Sequence, residues 1–211
     1  MTNHRILVID DNESIHSDFK KILTPSVNPS TELLQEMNAK LFEEEAIEKP
    51  ALPPFIIDSS YQGDDGVSLV RSSIEKSKPY AVAFVDILMP PGKDGIETIN
   101  EIWDLDSEIQ TVICTAYNKY SWGEIINRLG ESDRLFILKK PFDPIEIIQL
   151  ASSLTKRWNL NRAIQNEFSA LKRMPKKENT DMKKSLDTLE SAVNHLKTVN
   201  EKLNKQIRRQ F

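Results

Sequence analysis

Three aspartates, a threonine and a lysine stand at the ends of short apolar runs, and residues so placed can do chemistry. Asp10 and Asp11 follow the run from Ile6 to Ile9, and Asp86 closes the apolar part of YAVAFVDILMP, which spans Tyr80 to Pro90. Thr115 follows the run from Thr111 to Cys114, and Lys140 follows that from Leu135 to Leu138. A carboxylate cannot stay ionised inside an apolar strand, so one at a strand's C-terminal end faces the crevice outside the sheet. Clustered carboxylates repel one another and invite a hard divalent cation such as Mg2+, which takes oxygen ligands and keeps several waters. A carboxylate in such a cluster can attack phosphorus to form an aspartyl phosphate, with the metal and a lysine neutralising charge on the phosphoryl oxygens. Thr115 can donate a hydroxyl hydrogen bond to the same group. Taken singly, each residue has a plainer reading: Asp10 and Asp11 as caps of the following helix, Thr115 as a strand end, Lys140 as a solvated member of the Lys139-Lys140 pair. Polar residues at four matching strand ends, taken together, form a site.

Alternating elements must bring these residues together. The run with Val82, Phe84 and Val85 has little polar relief and reads as a strand buried on both faces, as in a parallel sheet. Ser14 to Leu23 carries Ile15, Phe19, Ile22 and Leu23 at helical spacing, and strand and helix patterns then alternate: a strand at 55–57, a helix at 63–77, the strand at 80–85, a helix at 94–105. A strand at 111–114, a helix at 120–129 closed by Gly130, a strand at 135–138 and a helix at 145–158 complete the series. Five β–α units imply an α/β, doubly wound parallel sheet, whose strand C-termini all face one crevice. Residues 26–54 interrupt this rhythm with prolines at the edges and an acidic helical piece carrying Leu33, Leu34, Met37, Leu41 and Phe42 on one face, read as a packed insertion.

Composition narrows the classes further. The chain has 211 residues, 39% of them hydrophobic, enough for one core and an appendage. With 28 basic against 32 acidic residues and a net charge of −4, it has no overall basic footprint for nucleic acid, and no direct nucleic-acid partner is expected. No apolar run approaches the roughly 20 residues that span a bilayer, and the polar start MTNHR lacks the apolar core of a signal peptide, so no membrane insertion and a cytoplasmic location are expected. Cys114 is the single cysteine and reads as a small buried hydrophobe.

The motifs ILVIDDNE, FVDILMP followed by KDG, ICTAY and ILKKPFD together resemble the receiver domain of bacterial two-component response regulators, over roughly residues 4–158 apart from the insertion. The resemblance implies a flavodoxin-like five-stranded sheet of order 2-1-3-4-5. It implies that Asp86 accepts a phosphoryl group from the phosphohistidine of a sensor histidine kinase. It implies that Asp11, Asp86 and the Leu88 carbonyl ligate Mg2+ directly, that Asp10 acts mostly through water, that Thr115 is the switch hydroxyl and that Lys140 is the site lysine. Such a chain is a phosphoacceptor rather than an enzyme in its own right. Two departures stand out. The family often has an aromatic three residues before the lysine, where this chain has Ile137. Leu88 and Tyr117, two past Asp86 and two past Thr115, are large, and slow hydrolysis of the aspartyl phosphate is expected. An independent phosphate hydrolase on the same sheet is disfavoured, because Leu88 stands where it would want a second acid.

Beyond 158 the pattern stays helical to about Met174 and meets Pro175, giving a linker at 159–180 and a coiled-coil segment at 181–211. Met182, Leu186, Leu189, Val193, Leu196, Asn200, Leu203 and Ile207 follow a four–three rhythm. With Leu186, Val193, Asn200 and Ile207 at a and Leu189, Leu196 and Leu203 at d, the seam favours a parallel homodimer through 182–207, its asparagine fixing register. A helix folding back on its own domain is the plainer alternative. His195 lies on the outer face of this register, in a setting unlike a kinase phosphorylation motif, and reads as solvated surface. The expectation is a receiver that passes the state of Asp86 through the coiled coil to a partner or to a cyclase- or kinase-type output domain. The alternative is a phosphorylation-independent scaffold that acts through the coiled coil.

Overall fold

The computed structural model describes residues 2–24, 52–116, 120–173 and 180–207. Most of the expected insertion, with Leu33 to Phe42, and Tyr117 lie outside the described residues. Contacts divide the chain into two units, residues 1–162 and 163–211.

In the first unit, β1 (Arg5–Ile9), β2 (Ile56–Ser60), β3 (Val82–Asp86), β4 (Gln110–Thr115) and β5 (Leu135–Lys139) pair in parallel in the order β2-β1-β3-β4-β5. This is the doubly wound sheet and strand order expected. Every residue of β3 is buried, as its unrelieved apolar composition requires of a central strand covered on both faces. The helices between the strands are α1 (Glu13–Leu23), α2 (Gly63–Glu75), α3 (Gly95–Leu105) and α4 (Trp122–Leu129), with α5 (Pro144–Arg173) after β5.

Strand alternation sorts the core into two layers. Leu7, Ile9, Ala83, Val85 and Ile113 point to one face and pack with Val67 and Val70 of α2, Ile96, Ile99 and Ile102 of α3 and Ile125 of α4. Ile6, Val8, Val82, Phe84, Val112 and Cys114 point to the other and pack with Phe19 and Leu23 of α1 and Ile147, Leu154 and Trp158 of α5. Removing a side chain such as Phe84 or Phe19 from water stabilises the fold by roughly 2–3 kcal/mol each before ordering entropy is counted. The two rings also meet edge-on at 4.8 Å. Cys114 is buried, and burial pushes its thiol up.

The edge strands differ from the centre. β2 runs on through Asp58, Ser59 and Ser60, beyond the apolar residues that announce it. Its polar middle is held by Arg5 Nη2, 2.5 Å from Asp58 Oδ2, and by the Tyr80 hydroxyl, which donates to the same oxygen at 2.7 Å. Burial, then the Asp58 carboxylate, pushes the Tyr80 phenol up.

In the second unit, α6 (Thr180–Ile207) is one continuous helix. Leu189 and Leu196 are exposed, and Leu186 and Val193 half-buried. The side chains of Met182, Asn200, Leu203 and Ile207 lie outside those described. Among the described residues, no helix is long and apolar enough to cross a membrane.

Candidate functional site

Asp10 lies one residue past β1, where the ladder ends and the chain turns into α1. Its amide donates to the Ser60 carbonyl at 3.1 Å, and it is buried. The α1 cap is Asn12, whose side chain accepts from the Ser14 amide at 3.0 Å. Capping of α1 is therefore not what Asp10 and Asp11 do, and Asp10 Oδ1 instead accepts from the Asn12 amide at 3.0 Å. Asp86 is the last residue of β3, opposite Cys114 of β4, and is 9% exposed. Asp10, Asp11 and Asp86 each offer a carboxylate oxygen within 4.8 Å of the others, with Asp11 exposed.

Lys140 reaches in from the end of β5. Its Nζ stands 2.6 Å from Asp10 Oδ2 and 3.1 Å from Asp86 Oδ2, and its amide donates to the Thr115 carbonyl at 2.7 Å. Topology thus brings together Asp10, Asp11, Asp86 and Lys140 from three strand ends. Thr115 ends β4 in the register step beyond the Asp86–Cys114 pair, half-buried.

The electrostatics follow from burial. Desolvation pushes the Asp86 carboxyl up, against the opposing pull of Lys140, while Asp10 adds a smaller push and the Leu88 amide a smaller pull. Burial alone would lower Lys140, but its hydrogen bond to Asp10 and the charges of Asp10 and Asp86 outweigh it and hold the ammonium up. Three carboxyl groups gather around one ammonium, with Asp11 exposed, so the acids outnumber the single cation beside them. An all-oxygen donor set with excess negative charge fits a hard divalent cation such as Mg2+.

The loop after Asp86 is tied down on two sides. Lys93 bridges Asp64 of α2 at 2.7 Å and Glu101 of α3 at 2.5 Å. Asp94 caps α3 by accepting from the Glu97 amide at 2.8 Å, and its Oδ2 accepts from Arg128 of α4 at 2.9 Å and from the Tyr120 hydroxyl at 3.3 Å. Leu88, on the same loop, is 42% exposed, and Ile137, on β5, is 41% exposed.

Sequence reasoning did not single out His16, Tyr120 or Arg128. The signal for His16 was there, since it shares the buried α1 face with Phe19 and Leu23 at helical spacing. Tyr120 and Arg128 meet Asp94 through side-chain reach across a loop, which spacing does not encode.

No family model matches the chain. It is 30% identical over 138 residues to the transcriptional regulatory protein GlnL of Bacillus subtilis (strain 168), a match covering 64% of this chain and 42% of that protein. The chain thus spans less than half of that relative's length. Among solved structures, a CheY-like response regulator receiver domain protein from Methanospirillum hungatei JF-1 is similar at TM-score 0.52 and 17% identity, over 76% of this chain and 99% of that one. The signal receiver domain of an HD domain-containing protein from Pseudomonas fluorescens Pf-5 is similar at TM-score 0.54 and 14% identity, over 77% and 94%. The fold is that of response-regulator receiver domains, as the motifs imply.

Proposed function

We propose that the first unit is a phosphoryl-accepting receiver in two-component signalling, with Asp86 as the acceptor and a sensor histidine kinase as the donor. The observation that carries this reading is Lys140 set between Asp10 and Asp86, with Asp11 completing an open acidic pocket at the strand ends. In the transfer, an Asp86 carboxylate oxygen bonds to phosphorus and the phosphorus–nitrogen bond of the donor phosphohistidine breaks, its electron pair returning to the imidazole. Lys140, already 3.1 Å from Asp86, neutralises the oxygens of the incoming group. Thr115 donates its hydroxyl to them. Asp11, Asp86 and the Leu88 carbonyl would hold Mg2+. Both Asp10 oxygens already accept hydrogen bonds, from the Asn12 amide and from Lys140, which supports an Asp10 that acts through water. When bound, Mg2+ supplies charge neutralisation at the phosphoryl oxygens and permits the carboxylates to crowd together.

The reading extends to the second unit. The exposed Leu189 and Leu196 of α6 support a parallel homodimer through 182–207 that carries the state of Asp86 to a partner or an output domain of cyclase or kinase type.

Intact-protein mass spectrometry after incubation with Mg2+ and a small acyl phosphate tests the acceptor. One phosphoryl adduct is expected in the wild type and none in Asp86→Ala. No adduct, under conditions that label a control receiver, overturns the reading and leaves a scaffold that works through its coiled coil.

A further inference from the structure

His16 sits on α1 one turn beyond the acid pair, 2% exposed, and its imidazole makes a specific polar contact with the pocket's frame. Its Nε2 lies 2.7 Å from the Asp10 carbonyl oxygen. A carbonyl can only accept, so Nε2 carries the hydrogen and donates it. Nδ1 has no hydrogen-bond partner, and the ring packs against Tyr61 at 4.6 Å. A buried ring with one nitrogen unsatisfied is a poor core filler, and leucine or phenylalanine would fill this place without that penalty. The Asp10 carbonyl lies beyond the last ladder pair of β1, so the bond from His16 meets a need that the sheet leaves open.

We propose that His16 is a positioning residue for the acid pocket, fixing the Asp10–Asp11 peptide through the Asp10 carbonyl so that the Asp11 carboxylate is aimed for cation binding. The peptide unit is planar, so holding its oxygen also holds the nitrogen and Cα of Asp11. Asp10 is anchored independently, through Ser60, Asn12 and Lys140, whereas Asp11 is exposed and takes its direction from this plane. His16 therefore acts on the cation through Asp11 without touching it, as outer partners of metal ligands do. The inference rests on the reading of this pocket as a Mg2+ site.

Isothermal titration of Mg2+ into the full chain tests it, alongside thermal unfolding in chelator, with wild type, His16→Leu, His16→Gln and His16→Asn. Leucine keeps the volume and loses the donor. The glutamine amide reaches the place of Nε2, and the shorter asparagine amide does not. The dissociation constant is expected to rise about tenfold in H16L and H16N and to return to within about threefold of wild type in H16Q, independently of the unfolding midpoint. Should H16L fail to fold, the contrast between H16Q and H16N carries the test. Wild-type affinity in H16L or H16N, or no recovery in H16Q, overturns the positioning role while leaving the Mg2+ site standing. Absence of Mg2+ binding by the wild type overturns the site, and this inference with it.

Discussion

Gly95 presses against Asp86: a Cβ built on Gly95 would stand 2.1 Å from the Asp86 carbonyl oxygen, where backbone leaves no room. The Gly95 amide donates to the Ile87 carbonyl at 2.9 Å, so α3 starts flush against the end of β3. The KDG motif needs its glycine for this approach. Gly95→Ala is expected to destabilise the fold by about 1–3 kcal/mol and to displace Asp86 from the pocket. Urea unfolding and acyl-phosphate labelling measure the two effects. A variant with wild-type stability and labelling would show that the strand end can yield at no cost.

Lys140 opposes the charge of the acids and competes with any cation for them. Lys140→Met leaves the carboxylates without their ammonium, and a loss of about 3 kcal/mol is expected in magnesium-free buffer because the Asp10 side chain is almost wholly buried. Added Mg2+ is expected to recover more stability in the variant than it adds to the wild type, while phosphoryl labelling falls. Denaturation curves with and without Mg2+ read the difference. Equal stabilisation of both proteins by Mg2+ would count against a cation placed beside Lys140.

On the proposed reading, Leu88 stands where it would hinder a water attacking Asp86. It follows the proposed acceptor by two residues and is 42% exposed. The double variant Leu88→Ala/Tyr117→Ala is expected to shorten the lifetime of the aspartyl phosphate about tenfold, equivalent to lowering the hydrolytic barrier by ~1.4 kcal/mol. Loss of the mass adduct with time gives the rate. A wild-type lifetime of seconds, unchanged in the variant, would remove these side chains from the account.

The site was legible where an apolar strand stops at a polar residue, because burial forces that residue into the crevice and topology does the rest. Asp86, Asp10, Asp11 and Lys140 meet for this reason. The half of β2 at Asp58 to Ser60 was not legible, since an edge strand can carry polar residues when side chains such as Arg5 and Tyr80 satisfy them. The turn at Asp10–Asn12 read plausibly as acidic capping, and only the hydrogen bond from Ser14 to Asn12 separates cap from site. His16 was passed over because a histidine on a buried helix face gains meaning only from the atom it touches.

Asp94 gives the fold a dependence on acid. Partial burial alone would raise its carboxyl, but the Glu97 amide and the Arg128 guanidinium outweigh that and hold it below the ordinary carboxylate range. A depressed folded value means that the stabilisation is fully present above the unfolded value near 3.8 and is lost as the pH falls through the folded one. Asp94→Asn keeps a capping oxygen and removes the charge. It is expected to cost about 1 kcal/mol at neutral pH, with the gap to wild type closing below pH ~4. Thermal unfolding at pH 7 and pH 3 checks the sign, and a gap that widens in acid would overturn it.

Leu189 and Leu196, 56% and 66% exposed, occupy successive d positions of the α6 seam. Apolar side chains repeated along one stripe at this exposure are stabilised by a second helix, and leucine at d with Val193 at a suits a parallel pair. Leu196→Asp places a charge where the partner helix would bury it, and several kcal/mol of desolvation would then oppose association. Sedimentation equilibrium is expected to give a dimer for the wild type and a monomer for Leu196→Asp at the same concentration. Labelling of Asp86 is expected to be unchanged, because the core layers around the site are built from residues of the first unit. Asn200→Leu is expected to strengthen association and admit other oligomers, since in a two-stranded coiled coil a polar a position specifies register and chain number at a cost in stability. A wild-type protein that stays monomeric at high concentration would instead leave the α6 stripe to a different chain, and the output would have to be sought in a heteromeric partner.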